Sequence, residues 1–302
     1  MVELRHLRYF CAVAEEKNMT RAAEKIFMAQ PPLTRQIKQL EEEVGVQLVQ
    51  REARGISLTP AGEYFWQQAQ LILDKLEATV KESQRIDAGK KRIFRIGFVP
   101  SIFYGQLPQL VRRLRQHHFA SVELHEMKTG EQIEALKCGK IDMGFGRVVM
   151  PSLGGDVTQK LLFSEPILAA LPCNHPMAEG AISMNELAQL PLITYPAGNA
   201  PTFANICLDL FNSRGLRVKV AQQVNDVGTA LGLVASDMGF TLVPEQVMRM
   251  NRDGVTFVRL KDEGITSPVF LSKREEPEDE IMTAAMEILD ELVLNRIEGR
   301  YP

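Results

Sequence analysis

The stretch Thr20-Arg21-Ala22-Ala23-Glu24-Lys25-Ile26-Phe27-Met28-Ala29-Gln30-Pro31-Pro32-Leu33-Thr34-Arg35-Gln36-Ile37 decides how the N-terminal part of the chain folds. Ala22, Ala23, Ile26 and Phe27 fall on the inner side of a helical segment starting at Thr20. Ala29-Gln30-Pro31-Pro32 interrupts it. Proline fits the first turn of a helix, where its missing N–H has no partner to lose, so a new helix starts at the prolines. That helix keeps Leu33, Ile37 and Leu40 on one face and stops at Gly45, a residue suited to a left-handed C-terminal cap. Two helices joined by a sharp turn, with small residues where they cross, form a helix-turn-helix.

Working outward, Leu4, Leu7, Phe10, Val13 and Ala14 recur at helical spacing before this pair. After it, Leu48–Arg51 and Ile56–Thr59 flank Glu52-Ala53-Arg54-Gly55 and predict a small hairpin. A single long helix follows from Pro60 to about Ala88. Phe65, Ala69, Ile72, Leu76, Thr79, Ser83 and Ile86 step along it by four and three, the a/d seam of a coiled coil. The same spacing also suits an amphipathic helix lying on its own domain. Asp87-Ala88-Gly89-Lys90-Lys91-Arg92 reads as a hinge.

The exposed start of the third helix offers Gln30, Thr34, Arg35 and Lys38 to base edges and phosphates. Arg can pair bidentately with guanine and Gln with adenine. Arg51 and Arg54 on the hairpin are placed for the backbone or minor groove. Residues 1–60 hold nine Lys/Arg and eight acids, leaving +1. Sorting matters more than the sum, because Glu41-Glu42-Glu43 sits at the far end of the helix whose start is basic. A three-helix protein-interaction module is the alternative reading of the same segment.

Beyond the hinge, strands and helices alternate, which predicts parallel sheets. Strands are expected at Ile93–Val99, Val122–Met127, Ile141–Phe145, Lys160–Phe163, Ile167–Leu171, Leu192–Thr194, Val218–Gln222, Gly239–Val243 and Pro268–Ser272. Helices are expected near Gln106–Gln116, Glu131–Lys137, Phe203–Ser213, Val227–Ala235 and Asp279–Arg296. Clefts at domain interfaces are the default ligand sites. Three strand-to-helix junctions offer bare amides and hydroxyls, which attract anions: Val99-Pro100-Ser101, Lys128-Thr129-Gly130, and Asn199-Ala200-Pro201-Thr202-Phe203. Phe203 adds an aromatic wall. Ser101, Thr129 and Thr202 would equally serve as helix caps, worth about 1 kcal/mol each. Arg147 either pairs directly with a ligand carboxylate or forms an ion pair holding the lobes together.

Composition narrows the field. At 302 residues, 45% hydrophobic and 24% charged, the chain is a folded protein of about two domains' length. A net charge of −3 excludes a uniformly basic nucleic-acid coat protein but not a basic patch. The charged start Met1-Val2-Glu3-Leu4-Arg5-His6 does not suit a signal peptide, and no apolar run of eighteen residues occurs, so no membrane span and a cytoplasmic location are expected. Cys11, Cys138, Cys173 and Cys207 lack metal-site or disulfide spacing, and His117-His118 are helix neighbours facing apart, so neither metal nor cofactor is expected. GxSxG, GxxxxGK[ST] and a strand-borne GxGxxG are missing, which argues against an enzyme. A free solute-binding protein would lack the N-terminal head.

Glu3-Leu4-Arg5-His6-Leu7-Arg8-Tyr9-Phe10, Thr20–Lys25, Gln30–Ile37, Leu40-Glu41 and Leu58-Thr59-Pro60-Ala61-Gly62 together resemble the LysR-type transcriptional regulators. The resemblance implies an α/β protein with an N-terminal winged helix-turn-helix (residues 1–60), a linker helix and hinge that dimerise (61–90), and a two-lobed effector domain resembling periplasmic binding proteins (91–302). Lobe I would comprise 91–161 and 268–302, and lobe II 162–267, with the lobe change near Leu161–Pro166, the return near Thr266–Pro268 and the ligand cleft between the lobes. It implies Gln30, Pro31, Pro32, Thr34 and Arg35 as base or groove contacts and Arg54 as the wing contact. Gly97–Ser101, Gly144–Arg147, Tyr195-Pro196 and Pro201–Phe203 resemble the benzoate- and muconate-responsive branch. That branch implies a small aromatic or unsaturated (di)carboxylate effector, control of aromatic-compound degradation as activator or repressor, inverted-repeat promoter DNA, a homotetramer built of dimers, and RNA polymerase as a partner. Pro100 departs from the smaller residue expected there.

Overall fold

The computed structural model describes residues 1–52, 55–116, 120–154, 156–197, 201–275 and 279–298. The chain divides into two compact units, Met1–Gly89 with Cys138–Lys140, and Lys90–Lys137 with Ile141–Pro302.

The first unit opens with α1 (Leu4–Glu16), α2 (Met19–Lys25) and α3 (Gln30–Val44). Asn18 caps α2 by accepting from the Thr20 and Arg21 N–H groups. The α3 start has no side-chain cap. Its two prolines remove donors that would otherwise need one. Gly45 closes α3 at φ +78°. Phe10, Val13, Ala22, Ala23, Leu33, Ile37, Leu40 and Leu48 form the core, each at most 2% exposed. Truncating one of its leucines to Ala would cost about 2–5 kcal/mol. Strands β1 (Val49–Glu52) and β2 (Gly55–Leu58) pair antiparallel as the expected hairpin. Glu41, from the acidic run, anchors this hairpin by accepting from the Leu48 and Val49 N–H groups at 2.8 and 2.9 Å.

Helix α4 (Pro60–Asp87) starts against the hairpin, where a Cβ on Gly62 would lie 1.9 Å from the Leu48 carbonyl oxygen. Only glycine fits there. The 4-3 seam divides along this helix. Phe65 stacks edge-on with Phe10 at 5.4 Å, and Ala69 is buried beside Leu7 and Cys11, so the first part lies on its own unit. Ile72, Val80 and Ile86 are exposed. Phe27 corrects an expectation: rather than facing inward with Ile26, it stands in solvent at φ +54°.

The second unit contains β3 (Arg92–Phe98), α5 (Leu107–Leu114), β4 (Ala120–Glu126), α6 (Thr129–Lys137) and β5 (Met143–Gly146). A 3-10 turn, Pro100–Tyr104, precedes α5. Then come β6 (Val157–Pro172), β7 (Ala181–Ile182), α7 (Met184–Leu187), β8 (Leu192–Thr194), α8 (Phe203–Asn212), β9 (Val220–Gln223) and α9 (Val227–Ala235). Last are β10 (Thr241–Pro244), a 3-10 turn Glu245–Met250, β11 (Val255–Leu260), β12 (Thr266–Arg274) and α10 (Glu280–Ile297).

Two expectations are corrected here. The two strands expected at 160–163 and 167–171 are one 16-residue strand, β6. Pro166 sits inside it without ending it. The eight-stranded sheet is also mixed rather than parallel, while β8 and β9 pair parallel as expected. β3 pairs parallel with β4 and β5, but β12 runs antiparallel to β5 and β6, and β10 and β11 antiparallel to β6. The cause is that β6 and β12 cross between lobes in opposite directions. Residues 157–166 of β6 pair with β12, and residues 167–172 with β10 and β11. The partner exchange at Pro166/Ile167 separates a core containing Phe94, Ile96, Leu110 and Leu289 from one containing Leu192, Phe211, Phe240 and Leu242. No described helix is long and apolar enough to cross a membrane.

Candidate functional site

In the first unit, burial of Leu33, Ile37 and Leu40 turns the opposite face of α3 outward. Gln30, Pro31, Arg35 and Lys38 are exposed, and Pro32 and Thr34 are half-buried. Gln30, Thr34 and Lys38 step by four residues and so line one stripe. The Thr34 hydroxyl donates to the Gln30 carbonyl at 3.0 Å, which leaves its lone pairs to accept. Arg51 lies in β1 opposite Ile56, but its side chain is not among the described parts. Arg54 lies outside the described residues.

In the second unit a cavity of about 410 Å³ opens between the lobes. Lobe I contributes Ser101, Lys128, Thr129 and Arg147, and lobe II contributes Tyr195, Phe203, Val227 and Val247. Pro201 and Thr202 also border it, while Asn199 lies outside the described residues. The cations therefore stand on lobe I, beside apolar Val99, Pro100 and Val148, and the aromatic rings on lobe II, beside polar Thr202, Asn225 and Asp226. The two rings of that wall, Tyr195 and Phe203, stand 6.2 Å apart. Burial pushes the Tyr195 phenol well above its ordinary value, so it stays protonated. Pro100 also lines the cavity, in the first turn of its 3-10 segment.

The three junctions do converge, and their hydroxyls differ in what they already do. Thr202 caps α8 through a reciprocal box with Asn205: it donates to Asn205 Oδ1 at 2.6 Å and accepts from the Asn205 N–H. Thr129 opens α6 and is 5% exposed, packed where a Cβ on Gly146 would come within 2.6 Å of its Oγ1 and Cγ2. Ser101 is not a cap. Its Oγ accepts from Arg147 Nε at 2.6 Å, which leaves the hydroxyl hydrogen able to donate.

Arg147 borders the cavity, yet it forms the ion pair that was one of its two readings. It is 2% exposed, donates from Nη1 to Ser267 Oγ at 3.0 Å, and brings Nη2 to 2.7 Å from Glu165 Oε1. That last approach is a charge contact without hydrogen-bond alignment. Burial pushes the guanidinium below its ordinary value, with Glu165 acting in the other direction. Glu165, fully buried in β6, also accepts from the Gln246 N–H of lobe II at 2.9 Å and meets Arg296 of α10 at 3.5 Å. Arg296 in turn lies 4.5 Å over the Phe163 ring.

Asn225 and Asp226 line the cavity and were missed by sequence reasoning. Their position, between β9 and α9, repeats the strand-to-helix rule that found the other junctions. Asp226 caps α9 through Thr229, whose hydroxyl and N–H hold the carboxyl below its usual range.

A helix-turn-helix head with an exposed polar recognition helix, followed by a two-lobed unit with a ligand-sized cleft, defines a ligand-responsive transcriptional regulator. Residues 4–63 match the family described as bacterial regulatory helix-turn-helix protein, lysR family, and residues 87–293 match the LysR substrate binding domain. The chain belongs to the LysR family of transcriptional regulators. It is 43% identical over 273 residues to the HTH-type transcriptional regulator CatR of Pseudomonas putida, covering 90% of this chain and 93% of that one. Its fold is similar to full-length CbnR complexed with its target DNA, with a TM-score of 0.68 and 28% identity over 96% of this chain and 100% of that one. It is also similar to the BenM effector binding domain with its effector benzoate, with a TM-score of 0.62 and 31% identity over 70% of this chain and 95% of that one.

Proposed function

We propose that this regulator senses a small aromatic or unsaturated (di)carboxylate, of the benzoate or muconate kind, and controls genes of aromatic-compound degradation. The observation that carries this reading is the two-sided cleft. Ser101, Lys128 and Thr129 face Tyr195 and Phe203, which suits one carboxylate joined to a flat hydrocarbon. The likeness to a domain that holds benzoate supports it. Arg147 contributes by fixing Ser101, its own charge being engaged by Glu165. Thr202 and Phe203 form the opposite lip, with Pro201 beside them; Asn199, which lies outside the described residues, is included in the proposed effector contacts.

The DNA-reading surface in this proposal is Gln30, Pro31, Pro32, Thr34, Arg35 and Lys38, with Arg51 and Arg54 from the wing. The domains are the head (1–60), the linker (61–90) and the effector domain (91–302), whose lobes are 91–161 with 268–302, and 162–267. The partner exchange of β6 at Pro166/Ile167 supports a lobe division within this strand, five residues past the 161/162 boundary, with Leu162 and Phe163 packed on the lobe I core. Exposed Ile72, Val80 and Ile86 on α4 suit pairing with a second copy, and two such pairs would form a tetramer on inverted-repeat DNA in the cytoplasm. RNA polymerase is then the machinery the bound tetramer influences. Effector binding shifts the chain between two lobe arrangements for which the effector has different affinities.

A thermal-shift screen of the full chain with benzoate, cis,cis-muconate and related acids tests the sensor. At a hundredfold excess over Kd the stabilisation is about 2.7 kcal/mol, a rise of about 5–10 °C for a unit of this size. If no acid of the class moves the transition while unrelated metabolites do, the proposed effector class is wrong.

A further inference from the structure

Phe27 occupies the turn between α2 and α3 at a double cost to the folded state. Helix α2 ends in a Schellman motif: the Met28 N–H donates to the Ala23 carbonyl at 2.9 Å, and the Phe27 N–H to the Glu24 carbonyl at 3.1 Å. Phe27 is the left-handed residue of that motif, at φ +54°. Glycine is the usual occupant there, and a side chain costs about 1–2 kcal/mol. Burial offsets none of this, because Phe27 is 99% exposed. Gly or Asn would make the same turn without either cost.

The placement gives the ring a use. Phe27 precedes the first residue of α3 by three positions, so its Cα lies within about 11 Å of that of Gln30. It thus adds a large apolar group beside a surface of amide, hydroxyl, guanidinium and ammonium groups. In the major groove the apolar counterpart is the thymine C5 methyl.

We infer that Phe27 is a further DNA-reading residue, whose exposed ring, held out by the left-handed turn before α3, covers a thymine methyl at the edge of each half-site. The inference rests on the DNA-reading role proposed for α3. Such a contact buries apolar surface and releases no counter-ions, so it changes sequence preference and leaves the salt dependence alone.

The test is a gel-shift titration of the full chain on duplexes from its own promoter region, with thymines replaced one at a time by uracil, which lacks the methyl. Wild type loses about 3–5-fold in affinity at one thymine of each half-site, the worth of one buried methyl group. Phe27→Gly binds the thymine and uracil duplexes alike, more weakly than wild type by that factor, with an unchanged salt slope. Phe27→Asn, which also tolerates the left-handed turn, matches it, and neither variant unfolds at a lower temperature than wild type. A scan in which no uracil weakens wild type overturns the inference. So does a methyl-dependent loss that persists in Phe27→Gly. A wild-type chain with no preference for its promoter duplex overturns the DNA-reading role itself, and this inference with it.

Discussion

The polar groups of the α3 surface stand in water, whereas those under the cleft are buried and engaged with one another. Arg35 and Lys38 are exposed cations on a helix whose fold depends on the opposite face. Arg147 and Glu165 are 2% and 0% exposed and join β5, β6, β12 and the Glu245–Met250 turn through Ser267 and Gln246. A surface that must meet a partner in water keeps its charges free. Around the cleft the buried charges are instead tied to strands and turns of both lobes. Substitutions should therefore separate binding from stability in the first region and fuse them in the second.

The largest effect expected is at Glu165. Replacing it with Ala strands a buried guanidinium, and we expect a loss of about 3–5 kcal/mol, read from chemical denaturation of the full chain. Stability within about 1 kcal/mol of wild type would break the contrast. Arg35→Ala should do the reverse: stability unchanged within about 0.5 kcal/mol, and promoter affinity lower by about 1–3 kcal/mol in a salt-controlled gel shift.

How much of this was legible in the sequence follows the same division. The head is local: Ala22, Ala23, Pro31, Pro32 and Gly45 act within a few residues of themselves, so helices, turn and hairpin can be read in order. Phe27 misleads because its apolar character points inward while the Schellman ending of α2 turns it out. The individual strands around the cleft were largely legible too, but the mixed sheet was not. β6 acquires its antiparallel partners from residues about 70–120 positions away, and no local pattern encodes that pairing. Likewise the three junctions could be found one at a time. That Arg147 meets Glu165 and Ser267 depends on two crossing strands coming together.

Smaller effects sharpen the comparison. Ser101→Ala removes the acceptor of Arg147 Nε and a cavity hydroxyl together, so we expect about 1 kcal/mol off stability and a several-fold weaker effector affinity by calorimetry. A stability loss with unchanged affinity would reduce Ser101 to a structural role. At the cleft rim, Asp226 is held below its ordinary 3.8 by Thr229. Its contribution is present above the unfolded carboxyl range and is lost as pH falls through the lower folded value. Thr229→Ala should move the Asp226 titration upward in NMR and flatten that acid-side loss.

The most direct test joins the two regions: a footprint of the full chain on its own promoter, with and without the acid that gives the largest thermal shift. We expect the protected pattern or its spacing to change at the acid concentrations that saturate the cleft. An acid that binds the cleft tightly while leaving the footprint unchanged would contradict a cleft that controls the reading head.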